Sequence, residues 1–431
     1  MLDMNWIREH REEVQRAADG KGIRLSVGEL LAADERRRRL LKEVEQLRHA
    51  RNELSREAGI AMRAGDDERA EEAKRRARGI NERLAALEAQ EAEAKRQVHE
   101  LMLLVPNIVS PDTPDGASDA DNVEIRRVGE PPVFDYKPLD HVELGVLHDM
   151  IDMPRGVKMA GTRSYVLKGA AAWLHRAVQQ LALDHLAAKG FTLLEVPVAV
   201  RGEAFEAAGF FPLGKDQVYG IAGENLWLAG TAEVPLVSLY SGETIDLAEP
   251  MRLAAASACF RSEVGSAGRD VHGLYRVHQF AKVEQVVLCR ADPELAEKLL
   301  QDITANAEEI LQMLELPYRV VAVCIGDMAQ KTYKQFDIET WMPSRGAYGE
   351  THSSSCLLDF QARRANIRYR DADGIARFAY TLNNTAVATP RILIPLLENH
   401  QQPDGSIRIP KALRPYMQGR ERLEPPGGGT V

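Results

Sequence analysis

The chain has 431 residues, 45% of them apolar and 28% charged, enough for two or three domains with buried cores. Its longest uncharged run, residues 378–390, is polar and shorter than the roughly 18–20 apolar residues of a membrane span; Asp3, Arg8 and Glu9 stand where a signal peptide has its apolar run. A net charge of −9 argues against bulk nucleic-acid binding, and four cysteines (Cys259, Cys289, Cys324, Cys356) with no C-x-x-C pair argue against a zinc ribbon or disulfide framework, so a cytoplasmic protein without membrane or zinc is expected.

Residues 1–110 balance 22 Lys and Arg with 22 Asp and Glu, so the acidic excess lies in the remainder. From Leu40 the pattern Leu40, Val44, Leu47, Arg51, Leu54, Ala58, Ala61 steps by four and three. It breaks at Ala64-Gly65-Asp66-Asp67 and resumes as Ala73, Ala77, Ile80, Leu84, Leu87, Glu91, Ala94, Val98, Leu101. A period of 3.5 is a coiled-coil seam, and the short Gly-Asp break predicts an antiparallel hairpin ended by Pro106. On pattern alone, a dimerisation zipper remains open. The basic residues Arg36–Arg39, Lys74, Arg75, Arg76 and Arg78 could meet phosphate or form a solvated face.

Residues 111–135, rich in Pro, Asp and Gly, read as a linker. An amphipathic helix over 169–189, closed by Gly190, precedes a strand over 191–200 that carries Pro197. No G-x-G-x-x-G or G-x-x-x-x-G-K-[ST] follows, and strands and helices do not alternate regularly. The pattern predicts an antiparallel sheet with flanking helices, an α+β fold.

Four segments carry chemistry. They are Thr231-Ala232-Glu233; Phe260-Arg261-Ser262-Glu263 with a loop through Gly265, Gly268 and Gly273 returning as Arg276-Val277-His278-Gln279-Phe280-Ala281-Lys282-Val283-Glu284; Glu350-Thr351-His352-Ser353 with Asp359-Phe360-Gln361-Ala362-Arg363-Arg364; and Thr381-Leu382-Asn383-Asn384-Thr385-Ala386 leading to Arg391. Over essentially the whole chain these resemble the seryl-tRNA synthetase family, bacterial type, of the class II aminoacyl-tRNA synthetases. The second resembles motif 2, the fourth motif 3, and residues 191–197 motif 1.

The resemblance implies three regions: a tRNA-binding domain with a coiled-coil arm (1–106), a class II catalytic domain on an antiparallel sheet (107–420), and a flexible tail (421–431). It implies a serine–tRNA ligase that activates serine with ATP to seryl-adenylate and transfers it to tRNA(Ser), and to tRNA(Sec) where that tRNA exists, releasing AMP and pyrophosphate. A two-fold homodimer and a magnesium ion are also implied.

Two anions meet in such a reaction, so fixed cations and alignment matter more than a general base. Planar, permanently charged arginine suits phosphate. By resemblance, Arg261 takes the α-phosphate and Arg391 the γ-phosphate, as the catalytic pair. Ser262, Glu263, Val277, Phe280, Glu350, Thr351, His352 and Ser353 complete the ATP site, and Glu350 and Ser353 offer magnesium hard oxygen ligands. Serine falls to Thr231, Ala232, Glu233, Glu284, Asn383 and Thr385. A site that bonds the substrate hydroxyl rejects alanine by about 10⁴–10⁵.

Three positions depart from the family pattern: Ala281 for an acid, His272 for a loop arginine expected near the tRNA end, and Gly349 for a basic residue. Blander readings stand beside the functional ones. Arg261 and Glu263, two apart on a strand, could form a surface ion pair; Glu233 and Glu284 could face solvent; His278 is read as structural and the cysteines as buried apolar residues. A non-catalytic RNA-binding relative and a ligase loading a carrier protein are the competing functions. The first fits poorly with Arg261, Glu284 and Arg391 all present, the second with a full arm.

Overall fold

The computed structural model describes residues 1–264 and 272–426. Gly265 and Gly268 of the expected motif 2 loop and Gly427–Gly429 of the expected tail lie outside the described residues. The chain divides into two compact units, residues 3–105 and residues 106–431 with 1–2.

In the first unit two short helices, Met4–Glu9 and Arg11–Gly20, precede α1 (Val27–Arg63) and α2 (Asp67–Leu104). Ser26 caps α1 by accepting from Glu29 N, and Asp66 caps α2 by accepting from Arg69 N. The turn between them needs a left-handed residue, and Gly65 supplies it at φ +74°. Every seam position named above is buried or half-buried, including Leu40, Val44, Leu54, Ala58, Leu84, Ala94 and Val98. Arg48 pairs with Glu88 at 2.7 Å and Arg69 with Glu57 at 2.9 Å, as the antiparallel register brings them opposite one another. Pro106 forces Val105 to an extended conformation (ψ 122°), and α2 stops at Leu104.

The second unit is built on eight strands: β1 (Val123–Val128), β2 (Thr192–Leu193), β3 (Met251–Phe260), β4 (Gln279–Cys289), β5 (Tyr318–Ala322), β6 (Lys334–Met342), β7 (Ala347–Leu358) and β8 (Tyr380–Thr389). Their order is β1-β5-β6-β7-β8-β4-β3-β2, antiparallel except for β2 beside β3. Alternation along the strands sorts the two faces. Val283 and Val287 of β4 and Ala254 of β3 pack against α3 (Gly169–Ala188) through Leu174, Val178 and Leu181, and against α5 (Pro293–Met313) through Leu299, Ile303 and Ile310. Val286 and Leu288 face the other way with Leu253 and Ala255. They meet Leu236 and Val237 of α4 (Glu233–Ser238) and Ala362 and Ala365 of α6 (Phe360–Ala365). Lys282 and Glu284 share that second face by the same period.

Several expectations change. The segment 111–135 is more than a linker: its Val123–Val128 pairs with β5 as the sheet edge, with Val123 and Ile125 largely exposed. The strand expected over 191–200 is paired only at Thr192–Leu193 and Ala199–Arg201, since Pro197 has no N–H to give a ladder. Within the tail expected from 421, Arg422–Leu423 is ordered into a strand pair with Ile407–Arg408, and Leu423 is buried. All four cysteines are free and buried.

Candidate active site

Beyond the end of β3 and across β4, β7 and β8 lies a cleft lined by Arg261, Glu263, Val277, Phe280, Lys282, Glu350, Thr351, Thr385 and Arg391, among others. Arg261 leaves the strand just after Phe260. Its backbone N–H donates to His278 O at 3.0 Å, its Nε donates to Gly230 O at 3.3 Å, and its guanidinium stands 5.2 Å from the Phe280 ring centroid. A Cβ on Gly230 would come within 3.2 Å of the Arg261 Cγ, so glycine there permits the approach. Glu263 is off the strand, at φ 52°, and its carboxylate lies 3.3 Å from Arg276. The surface ion pair between Arg261 and Glu263 therefore does not form; Glu263 takes the cation of the returning strand's approach.

Arg391 sits between β8 and the helix α7 (Leu393–His400). It donates to Tyr275 O at 3.0 Å and Glu350 O at 3.1 Å, with the Tyr275 ring 4.5 Å below its guanidinium. Tyr275 also explains Gly349: a Cβ there would meet Met342 Sδ at 3.0 Å and the Tyr275 ring at 3.3 Å, leaving little room for the basic side chain that the family pattern has. Thr351 is the extra residue of a bulge where Glu339 faces Glu350 and Ile338 faces His352, a device that re-aims side chains.

Beside the cleft on the same sheet face is a buried cluster. Glu284 on β4 faces Thr385 on β8 in register, and Lys282 Nζ lies 2.6 Å from Glu284 Oε2 and 3.5 Å from Thr385 Oγ1. Burial pushes the Glu284 carboxyl up, while the Lys282 charge pulls it down and Glu233 pushes it up again. Thr231 Oγ1 accepts from Glu233 N at 3.2 Å at the start of α4, and Asn383 Nδ2 donates to Glu233 Oε1 at 3.0 Å. Glu233 and Glu284 are both buried, so neither is a solvent-facing acid.

Three expected ATP residues do not line the cleft. Ser262 Oγ donates to Asp216 O at 2.7 Å; His352 is buried at 2.8 Å from Thr351 Oγ1, where burial pulls its pKa down to about 3; Ser353 Oγ accepts from Gln335 Nε2 at 3.1 Å. Asp337, opposite Ser353 on β6, is pushed up to about 8 by burial first and the Glu350 charge second. Among the described residues no group of three His, Cys, Asp or Glu could hold a metal. His278 keeps the structural place expected of it, 3.0 Å from Tyr219 Oη. His272 lies 3.1 Å from Asp140 Oδ2.

Sequence reading missed Lys282, Lys331, Gln361 and Asp337. Lys282 had a signal, since it stands two residues before Glu284 on a strand and so shares its face. Gln361 stood in a singled-out segment without a role, and Lys331 had no local mark.

Residues 1–109 match the model of the seryl-tRNA synthetase N-terminal domain, and residues 219–400 that of the tRNA synthetase class II core domain (G, H, P, S and T). A serine–tRNA ligase of Deinococcus radiodurans is 48% identical over 99% of this chain and all of that protein. One from Symbiobacterium thermophilum is 42% identical over 98% and 100%. The crystal structure of seryl-tRNA synthetase from Pyrococcus horikoshii complexed with ATP aligns at TM-score 0.90 and 38% identity, covering 99% of this chain and 100% of that one. That of the cytoplasmic serine–tRNA ligase from Naegleria fowleri in complex with AMP aligns at 0.85 and 27%, covering 99% of each. With its core, its arm and relatives of nearly equal length in agreement, this chain belongs to the seryl-tRNA synthetase family.

Proposed function

We infer that the protein is an ATP-dependent serine–tRNA ligase, forming seryl-adenylate and passing the seryl group to tRNA(Ser). One observation carries the reading: two arginines, Arg261 and Arg391, converge on one cleft beside a buried cluster that holds two carboxylates, Glu233 and Glu284. The arginines suit a triphosphate and the carboxylates suit an ammonium group, so the site matches an amino acid meeting ATP.

In the proposed mechanism Arg261 holds the α-phosphate against the serine carboxylate and stabilises charge as the P–O bond forms and pyrophosphate leaves. Arg391 holds the γ-phosphate, Phe280 stacks on adenine, and Glu263 and Val277 meet its edge. Glu284 and Glu233 receive the serine ammonium and hydroxyl with Thr231, Asn383 and Thr385. Lys282 now pairs with Glu284 and so stands where a substrate cation would, which requires the two to share or exchange that carboxylate. Glu350, 48% exposed at the cleft, is a hard-oxygen donor of the kind that would hold magnesium with phosphates and water, offsetting triphosphate charge, whereas the Ser353 hydroxyl lies off the cleft lining beside Gln335 and would have to leave that bond to join it. Ser262, bonded to Asp216, and His352, buried beside Thr351, are assigned supporting roles off the cleft lining.

The arm is proposed to bind tRNA through its exposed Arg56, Arg75, Arg76 and Arg78. A two-fold homodimer, tRNA(Sec) as a further acceptor, and a cytoplasmic location belong to the same reading; among the described residues no helix is long and apolar enough to cross a membrane. Pyrophosphate exchange with each of the twenty amino acids tests the function. Serine should support it, magnesium should be required, and alanine and glycine should be far weaker; exchange dependent on another amino acid would overturn the assignment.

A further inference from the structure

Glu233 opens α4, and side chains from three other segments end on one of its oxygens. The Lys331 ammonium, Gln361 Nε2 at 2.7 Å and Asn383 Nδ2 at 3.0 Å all reach Oε1. Oε2 receives no donor among the described residues. A carboxylate oxygen has about two lone-pair sites, so three donors saturate Oε1 and leave the remaining acceptor capacity on Oε2.

The two donors outside the family's serine set are themselves held in place. The Lys331 Nζ lies 3.8 Å from the Phe210 ring centroid, and its backbone carbonyl accepts from Asn107 Nδ2 at 3.1 Å. Its stem runs against Gly209, where a Cβ would stand 3.2 Å from the Lys331 Cβ; that position, at φ +79°, is suited to glycine on both counts. Gln361 accepts from Thr381 Oγ1 at 2.7 Å and also donates to Ala208 O at 2.9 Å, which fixes both its rotamer and the sense of its amide. Burial lowers the Lys331 pKa and the Glu233 charge opposes that shift. A buried ion pair is weak evidence for added stability, because desolvation offsets much of the attraction; a role in fixing geometry is the better account of its presence here.

We propose that Lys331, assisted by Gln361, is a positioning residue for amino-acid selection, locking Glu233 through Oε1 so that Oε2 is presented to the substrate's ammonium group. The inference rests on the serine-site reading above and adds to it two residues that act through Glu233.

The test is a kinetic comparison of Lys331→Met, Glu233→Gln and the double variant by serine-dependent pyrophosphate exchange, with the KM for serine, the KM for ATP and kcat measured separately. Lys331→Met should raise the serine KM by about tenfold or more, the equivalent of ~1.4 kcal/mol, with the ATP KM within about twofold of wild type. In the Glu233→Gln background the same change should add little, because Lys331 acts through Glu233. Equal shifts in both KM values, or independent multiplication of the two single effects, would make Lys331 merely structural and overturn the proposal. If Lys331→Met does not fold, Gln361→Leu leaves the ion pair in place and decides: a selective rise in serine KM supports the proposal and an unchanged one overturns it. Wild-type exchange with an amino acid other than serine would instead remove the underlying reading of the site, a separate outcome.

Discussion

Glu284→Gln keeps the shape of the side chain and removes its charge. In this structure Glu284 is buried, its Oε2 lies 2.6 Å from the Lys282 ammonium, and Thr385 is its register partner. Two losses follow. A hydrogen bond to a charged group contributes about 1.5–3 kcal/mol, so kcat/KM for serine should fall roughly 10- to 150-fold. Lys282 is left without its carboxylate; breaking a buried pair from one side costs about 3–5 kcal/mol, toward the lower end here because Lys282 lines the cleft and keeps Thr385 within 3.5 Å. Pyrophosphate exchange against serine concentration reads the first loss and thermal melting reads the second. Lys282→Met with Glu284→Gln separates them, since removing both charges should recover most of the melting temperature and none of the serine use. Wild-type kcat/KM for serine in Glu284→Gln would refute the role of Glu284, whatever happened to stability.

Excising residues 53–82 and closing the hairpin with a short Gly-Ser turn leaves the Arg48–Glu88 pair in place; serine-dependent exchange should persist while transfer to tRNA falls and its salt dependence flattens, and full tRNA charging would return the arm to the zipper reading. Sedimentation should give twice 47.9 kDa, with Trp173 and Leu193, both more than 40% exposed, among the candidates for the covered surface; a stable, fully active monomer would refute the dimer. His400 donates from Nε2 to Leu314 O at 2.9 Å and accepts at Nδ1 from Arg408 at 3.0 Å, and burial first holds its pKa near 4. It folds neutral, so its contribution is present above the unfolded pKa of about 6.5 and is lost as pH falls toward 4. Chemical denaturation between pH 7 and 4 should show a shallower acid loss for His400→Gln, and an unchanged slope would refute this account.

The arm was almost wholly legible in the sequence. A seam is a local, one-dimensional pattern: spacing places Leu40, Leu54, Leu84 and Val98 on one stripe, and the break at Ala64–Asp67 and the stop at Pro106 bracket α2, observed at Asp67–Leu104. The family resemblance carried by the motif segments implied that Arg261, Glu263, Phe280, Glu350, Thr385 and Arg391 share a site, and all six line one cleft. Composition misled at residues 111–135, where acidic and glycine-rich flanks concealed an edge strand whose ladder partner lies about two hundred residues away. Strand alternation could have given the shared face of Lys282 and Glu284, but their pairing needs the closeness that only the fold supplies. Tertiary structure alone decided that Glu263 turns to Arg276, that Ser262 and His352 lie off the cleft lining, and that Lys331 and Gln361 meet on Glu233 from 98 and 128 residues away. The reason is physical: a periodic pattern records which face a residue occupies, whereas a buried charge finds its partner through packing in three dimensions, which leaves no spacing in the chain to read.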